Sequence, residues 1–229
     1  MRSIYERALG SDEFARLHPR IQRRFGFSSR DGTAQVGRGV MEEVWRGPWW
    51  TVPFLLLGSW RRILVPARGR DVPFTIENYA YLDGFGRETV TWARRMQLGS
   101  RMRSFDATMI WSERRGRVVD YLGTHQHLAV DISLTVDPDG GGGLRLRSGE
   151  QRFYEGPVAF RFPWLLTGVA EVHEWWSEPE GRFRIEVGVF NRRFGPLFGY
   201  RGWFDVEERE CPPERVPSDV RPRREEHRE

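Results

Sequence analysis

A strand with strictly alternating side chains lies near the middle of this 229-residue chain and limits how the chain can fold. Every second residue from Leu128 to Val136 is apolar, which is typical of a β-strand with one face buried. The apolar positions are Leu128, Val130, Ile132, Leu134 and Val136. We therefore expect this face to meet an apolar environment, with His127 and Asp131 on the opposite side of the strand. In a barrel with a packed interior it is the inner face, whereas in a barrel that holds a polar ligand it can instead lie under the inserted helix.

Similar segments follow one another along most of the chain, separated by short turns rich in glycine. About ten such strands at hairpin spacing, with no βαβ pattern, favour an antiparallel sandwich or a closed barrel. We predict a mainly β fold, a single antiparallel β-barrel-like domain of about ten strands over residues 1–208. Pro157–Pro163 is predicted to interrupt the strand series.

Helices are predicted at two places. Short segments between Ile4 and Phe25 carry apolar residues on one side, with His18 at a helix end. They are too short to form a bundle alone, so we expect them to cover an opening of the barrel. One inserted helix is predicted over Val52–Leu64, with an apolar stripe assigned to core packing. Contact of that stripe with a ligand or a membrane surface stays open as an alternative.

The last residues differ in composition from the rest. Residues 209–229 are proline-rich and charged and lack apolar periodicity, which predicts a disordered tail. The single cysteine, Cys211, excludes an intrachain disulfide and a cysteine-rich metal site. A single cysteine fits a reducing compartment and no signal peptide is visible, so a cytoplasmic protein is predicted. The longest apolar run is too short to span a membrane.

The basic residues are all arginines, 36 of them against 32 acidic residues, for a net charge of +4. The arginines are interspersed with glutamates instead of forming a basic stripe. Nucleic acid is therefore not an expected partner.

Arg94 stands out because it alternates with apolar residues in its predicted strand. Val90, Trp92 and Met96 share its face, so Arg94 is predicted to point inward. A buried guanidinium group is very costly unless it is paired. We expect a structural carboxylate as its partner, with Glu155 and Glu171 as the first candidates, and an anionic ligand as the alternative.

Three further residues are candidates for a site. Tyr200 alternates with phenylalanines and lies next to Gly202, which is predicted to leave room for a ligand or for an internal hydrogen bond of the hydroxyl group. His125 and His127 precede the alternating strand, and we rank His125 higher because it lies at a rim. A third histidine at metal-ligand spacing is missing, so no metal is predicted. Acid–base catalysis by a His–Asp or Glu–Arg pair remains open.

The order of several motifs resembles a known family. FARLHPRIQRRFG, GRGVM, TWARRM, DYLGTHQHLAVD, RFYEGP and FGPLFGYRG occur in the order of the bacterial domain-of-unknown-function family numbered 4166. The match covers roughly Phe14 to Val206. Related domains are sometimes joined to a dehydrogenase-like or sugar-epimerase-like nucleotide-binding module. The resemblance therefore implies a separate NAD(P)-dependent enzyme as a candidate partner, and no established reaction or catalytic residue.

The sequence thus predicts a barrel that encloses one small, largely apolar ligand with an anionic or polar group. No cofactor is predicted. The alternatives are an acid–base isomerase or cyclase that acts on such a ligand, and a non-catalytic interaction module with a filled core. The candidate ligand-binding residues are Arg94, His125, His127, Glu155, Glu171 and Tyr200.

Overall fold

The computed structural model describes residues 2–49, 68–163 and 167–229. The predicted helix Val52–Leu64 lies outside the described residues. The fold is mainly β, as predicted, and the described residues form eleven strands in one antiparallel sheet. The strands are β1 (Thr33–Arg46), β2 (Gly69–Leu82), β3 (Glu88–Leu98), β4 (Arg101–Ser112), β5 (Arg117–Leu122), β6 (Leu128–Val136), β7 (Leu144–Glu155), β8 (Val158–Arg161), β9 (Gly168–Ser177), β10 (Arg182–Asn191) and β11 (Gly195–Glu210).

Ten of these strands close into a barrel. Strands β1 to β7 pair in chain order, β7 then pairs with β9, and β11 pairs with β1 to complete the ring. Closure leaves no free sheet edge in the ring, so every strand of the barrel has two hydrogen-bonded neighbours. The barrel prediction is confirmed.

Strand β8 is the exception to both the ring and the sequence prediction. The stretch Pro157–Pro163 was expected to break the strand series, yet Val158–Arg161 forms a hairpin with the end of β7. The side chains of β8 are exposed, with Val158 at 51% and Phe160 at 46%. The hairpin turns at Gly156, which has a positive φ, and Phe160 of β8 packs against Phe153 of β7 with their ring centres 5.1 Å apart.

Glycines in β1 allow two neighbouring strands to approach closely. A Cβ atom on Gly39 would lie 1.9 Å from the Trp203 carbonyl oxygen of β11. The same pair of strands contains a register shift between Met41 and Glu43. A bulge of this kind bends a strand and increases its twist, which helps the sheet to close.

Three short helices cover one end of the barrel, which we call the helix end. They are α1 (Ile4–Leu9), α2 (Ser11–Ala15) and α3 (Pro19–Phe25). Ser3 caps α1 by accepting a hydrogen bond from the Glu6 amide at 3.1 Å. His18 caps α3 in the same way, through Nδ1 and the Arg20 amide at 3.2 Å, which confirms its predicted role.

Turns of the barrel hold these helices in place. The His18 amide donates to the Gly142 carbonyl oxygen in the β6–β7 turn, and its Nε2 contacts Glu178 in the β9–β10 turn at 2.9 Å. Apolar side chains of the helices enter the main core, where Trp92 Nε1 donates to the Tyr5 hydroxyl group at 2.8 Å. The opposite end, where the β3–β4, β5–β6 and β10–β11 turns lie, is called the loop end.

Alternate residues of each strand fill the barrel interior. On β6 these are Val130, Ile132 and Val136, all buried in the main core, with Leu128 and Leu134 packed against them. The apolar face of β6 is therefore the inner face, which decides between the two orientations that the alternation allowed. Ala129 and Asp131 point outward but are also buried, because further residues cover this part of the outer wall.

The predicted disordered tail covers another part of the outer wall, over β1 and β2. In the structure β11 continues to Glu210, and the residues after it pack along the outside of the barrel. Val216 and Val220 are buried against Tyr79, Tyr81 and Ala34. The tail lacks the periodicity of a regular element, but these isolated valines fit apolar gaps between outward-facing aromatic side chains.

Backbone bonds fix the end of the tail to the β5–β6 loop. The Arg223 amide donates to the Thr124 carbonyl oxygen at 2.7 Å, and the Glu226 amide donates to the Gln126 side chain at 2.6 Å.

No helix in the described ranges is long and apolar enough to cross a membrane.

Candidate functional site

Arg94 points into the barrel interior, as its alternation predicted, and is only 3% exposed. Its Nε donates to the Phe105 carbonyl oxygen at 3.1 Å, and its Nη1 donates to the Tyr200 hydroxyl group at 3.2 Å. The guanidinium carbon lies 3.8 Å from the centre of the Phe105 ring, a close cation–π contact. Nη2 makes no hydrogen bond with any residue that the structure describes.

The expected carboxylate partners of Arg94 were wrong. Glu155 and Glu171 are both more than half exposed on the outside of the barrel, where they pair with other cations. The acids that interact electrostatically with Arg94 are Asp120 and Glu174 on inner faces. Within the described part of the chain, no carboxylate lies within ion-pair distance of Arg94.

Asp120 is a buried acid on the inner face of β5. Burial raises its pKa to about 7, because the carboxylate loses its hydration, while Arg94 and the backbone of Thr108 lower the pKa in part. Its Oδ1 is buried and has no hydrogen-bond partner among the described residues. A buried oxygen without a hydrogen-bond partner lowers the stability of the folded state. Asp120 Oδ1 can therefore accept a hydrogen bond from a bound molecule.

A second polar cluster lies at the helix end of the interior. Arg24 of α3 forms a buried ion pair with Glu174 of β9, and its Nη1 also donates to Gln35 at 2.9 Å and to Asn78 at 3.2 Å. Burial raises the pKa of Glu174, and Arg24 opposes that rise. Glu174 Oε2 and Arg24 Nη2 have no hydrogen-bond partner among the described residues.

Tyr200 is fully buried on β11, and its hydroxyl group bonds to Arg94. Burial raises the pKa of Tyr200, although Arg94 lowers it in part, so the phenol is neutral. The room expected beside Gly202 is absent. A Cβ atom on Gly202 would lie 2.1 Å from the Val40 carbonyl oxygen, because β1 approaches closely at its bulge.

The two candidate histidines lie away from this interior cluster. Their rings stack at 5.3 Å, and His127 packs on the outer wall with its Nδ1 2.6 Å from Glu155. Arg224 of the tail lies 3.2 Å from Glu155 and 3.3 Å from the His127 ring.

The six residues predicted for one site therefore lie in three separate places. Arg94 and Tyr200 meet inside, His125, His127 and Glu155 meet outside, and Glu171 pairs with Arg147 at 3.5 Å.

The sequence contained signals for the acids that were missed. Asp120 alternates with Val118 and Leu122, which both contribute to the core. Glu174 alternates with Val172 and Trp176, but the opposite face of β9 also ends in a tryptophan, so the pattern alone did not select the inner face. Among the described residues, no group of three or more potential ligands is placed to hold a metal ion.

Comparison with known proteins agrees with the resemblance noted in the sequence. The family model described as "Domain of unknown function (DUF4166)" matches residues 17–204. "Uncharacterized protein YndH" of Bacillus subtilis (strain 168) is 36% identical over 211 residues, which cover 92% of this chain and 100% of that protein. The chain therefore belongs to the DUF4166 family.

Proposed function

We propose that the barrel binds one small, largely apolar molecule, with the polar group of that molecule held by Arg94, Asp120 and Tyr200. The observation that carries the proposal is that Arg94 and Asp120 are both buried in an apolar interior without an ion-pair contact to one another. Each has an atom, Nη2 of Arg94 and Oδ1 of Asp120, that no described residue bonds. The Arg24–Glu174 pair also leaves one atom of each residue without a described partner, but its charged groups are in direct contact, whereas those of Arg94 and Asp120 are not.

The polar groups of the proposed site are held rigidly. Arg94 is fixed by the Phe105 carbonyl oxygen, the Phe105 ring and the Tyr200 hydroxyl group, which together leave one edge of the guanidinium group for a ligand. Core residues surround these groups, including Met96, Phe198 and Ile76. An apolar wall with a few convergent polar groups is the usual composition of a small-molecule site.

The interior charges favour an anionic group on the ligand. The charged side chains inside the barrel, among the described residues, are Arg24, Arg94, Asp120 and Glu174. With Asp120 protonated, the two arginines exceed Glu174, the remaining acid, by at least one charge. Because the pKa of Asp120 is about 7, a bound carboxylate stabilises the protonated acid at neutral pH. Binding of such a ligand should therefore be accompanied by proton uptake.

Native mass spectrometry of the protein purified from its own host tests whether a ligand is retained. We expect an added mass that disappears on denaturation and is lost or reduced in Arg94→Met. The matched control is Arg95→Met, the next residue on β3, which points outward and pairs with Glu77 at 2.8 Å. Retention of the same mass at the same occupancy in Arg94→Met would contradict the proposal.

Titration calorimetry with decanoate and decanol tests the preferred polar group. We expect decanoate to bind more tightly than decanol, by about tenfold for one charge-assisted contact. The advantage should be lost in Arg94→Met and kept in Arg95→Met. Measurement in two buffers of different ionisation enthalpy should reveal the proton uptake, which Asp120→Asn should abolish.

Acid–base catalysis in the same site is a second candidate function, and Asp120 is the observation that favours it. A carboxyl group with a pKa near 7 exchanges its proton efficiently at neutral pH, which suits a general acid or base of an isomerase or cyclase. Incubation of the extracted ligand with the protein in deuterated water is the test. Catalysis predicts solvent deuterium in the ligand with the parent protein and none with Asp120→Asn, whereas a binding protein incorporates none in either case.

A further inference from the structure

A groove on the outer wall of the barrel lies between the β4–β5 turn, the β7–β8 hairpin and the end of the tail, and we call it the outer groove. It is defined by Trp111, Arg115, Arg152, Phe160, Arg161 and Glu229. Its volume is about 840 Å³, which is the size of a small-molecule site. The buried Tyr154 also lines the groove and belongs to the apolar cluster that covers Ala129 on the outer wall. The outer groove shares no residue with the proposed interior site, so the two do not depend on one another.

Three arginines of the outer groove share two carboxylates. Asp131 pairs with Arg115 at 2.9 Å and with Arg152 at 2.6 Å. Glu150 lies 3.0 Å from Arg115 and 2.9 Å from Arg152. Glu150 is also the one ion-pair partner that the described residues offer to Arg161, at 3.3 Å. One positive charge of this cluster is therefore not balanced.

Arg117, beside the groove at the start of β5, adds a second unbalanced charge. Its one ion-pair partner in the described part of the chain is Asp131, 3.5 Å away, which already serves Arg115 and Arg152. Burial raises the pKa of Asp131 and of Glu150, but hydrogen bonds from the arginines outweigh burial and hold both pKa values below their ordinary range. Both acids are therefore ionised at neutral pH. The cluster thus contains four guanidinium groups, two carboxylates and an excess of two positive charges.

The remaining ion pairs around the groove match each arginine with an acid. These pairs are Arg7 with Glu113, Arg87 with Asp83, Arg114 with Glu229, and Arg228 with Glu226. The excess of positive charge is therefore concentrated at the cluster around Asp131 and Glu150. An anion that enters the groove is attracted to that cluster.

Aromatic surface borders this excess of charge. Phe160, next to Arg161 on β8, is 46% exposed although it packs against Phe153. Trp111, at the end of β4, lines the same groove and is partly exposed. A ligand that fits the groove therefore has a flat, apolar body beside its anionic group.

We propose that the outer groove binds a small phosphate monoester with an aromatic body. A phosphate monoester has close to two negative charges at neutral pH, which match the two excess positive charges of the cluster. Arginine suits phosphate because its planar fork of donors binds two oxygens at once. Hydrogen-bonding capacity remains for such a ligand. Arg115 Nη1 makes no hydrogen bond with a described residue, and Arg161 contacts Glu150 through Nη1 alone.

Titration calorimetry with 1-naphthyl phosphate at pH 8 tests the proposal. The second pKa of such a phosphate is about 6, so the probe carries two charges at this pH. We expect one binding site in each chain. 1-Naphthyl sulfate, which has the same ring and a single charge, should bind about tenfold more weakly. No binding of the phosphate, or equal affinity for the sulfate, would overturn the proposal.

Two arginine variants locate the binding. Arg115→Gln should weaken the binding of 1-naphthyl phosphate by about tenfold, and Arg161→Gln, at an exposed position, by about threefold. The matched control is Arg147→Gln on β7, because the Arg147 side chain is 67% exposed and pairs with Glu171 outside the groove. Its affinity should stay within about twofold of the parent value.

Two results of these variants would contradict the proposal. A loss in Arg147→Gln as large as in Arg161→Gln would show a general charge effect. Unchanged affinity in both Arg115→Gln and Arg161→Gln would place the probe elsewhere on the protein.

The aromatic body of the ligand has its own test. Phe160→Ala should weaken the binding of 1-naphthyl phosphate by about fivefold and leave the affinity for inorganic phosphate unchanged. The matched control is Phe190→Ala, since Phe190 is 42% exposed on β10 and lies outside the groove. This control should change neither affinity. Inorganic phosphate that binds as tightly as 1-naphthyl phosphate would show that the rings take no part and overturn the assigned ligand class.

A phosphotyrosine peptide distinguishes a small molecule from a protein partner. Free phosphotyrosine carries the same two chemical groups as the proposed ligand, so it should bind about as tightly as a short peptide that contains it. A peptide that binds more tightly by about tenfold or more would assign the outer groove to a phosphorylated protein and overturn the proposal.

Discussion

Arg94 on β3 and Tyr200 on β11 are joined by a hydrogen bond of 3.2 Å through the barrel interior. Two strands, β2 and β1, separate them around the wall, so the bond crosses the core instead of following the sheet. Because both side chains are buried, the bond couples two distant parts of the wall in a low-dielectric interior.

This coupling can be measured by a double-mutant cycle. Tyr200→Phe should lower the free energy of unfolding by about 1–2 kcal/mol, because the guanidinium group loses a partner that water cannot replace. Arg94→Met should cost more, about 3–5 kcal/mol, since Asp120 and Glu174 lose a compensating charge. The double variant should cost about 1 kcal/mol less than the sum, as measured by urea denaturation. Strict additivity would show that the two residues do not interact.

Asp120 should make stability depend on pH. Its folded pKa of about 7 lies above that of an ordinary aspartate, so the folded state holds a proton that the unfolded state has released. The stabilisation is complete below the unfolded pKa, near 4, and is lost as the pH rises to about 7, by about 4 kcal/mol in total.

The variant Asp120→Asn tests this dependence because it cannot titrate. Relative to the parent protein, the variant should gain stability as the pH is raised from about 5 to about 8. Denaturation at several pH values measures the difference between the two proteins. A difference that is constant over this range would show that Asp120 does not titrate there.

Arg24 offers a comparison between buried and exposed ion pairs on one helix. Arg24→Met leaves Glu174 buried and uncompensated and should lower the free energy of unfolding by about 3–5 kcal/mol. Arg23→Met, one residue earlier, removes an exposed pair with Glu208 and should cost less than about 1 kcal/mol. Similar losses in the two variants would contradict the role of burial.

The packed tail predicts a loss of stability on truncation. Removal of residues 211–229 uncovers Tyr79, Tyr81 and Ala34 and should lower the unfolding free energy by about 3 kcal/mol, or the melting temperature by roughly 5–10 °C. Val220→Ala should reproduce part of the loss, whereas Arg215→Ala, at an exposed position, should not. An unchanged melting temperature after truncation would support the disordered tail that the composition predicts.

His127 should affect the tail and not ligand binding. His127→Gln disturbs contacts to Glu155 and the Tyr154 carbonyl oxygen on the outer wall and should cost about 1 kcal/mol of stability. Decanoate affinity should stay within about twofold of the parent value, because no interior group is changed. A large loss of affinity without a loss of stability would return His127 to the list of ligand contacts.

Local alternation in the sequence determined much of the fold and part of the site. The period of two predicted that Arg94 points inward and grouped the apolar residues of β6 on one face, because successive side chains of a strand point to opposite faces wherever the strand lies. The same rule predicted a series of about ten strands at hairpin spacing, and ten strands form the barrel. Helix α1 and the cap at His18 were also predictable, since capping depends only on residues a few positions apart.

Only the tertiary structure decided which residues meet. Closure of the barrel selected Asp120, Glu174 and Tyr200 as the surroundings of Arg94, because distances across the interior depend on the register of every strand between them. Strand β9 had a tryptophan on each face, so packing against α3 and not the sequence pattern placed Glu174 inside. The tail illustrates the same limit. Val216 and Val220 have no periodicity of their own, and their burial depends on gaps that exist only once the outer wall has formed.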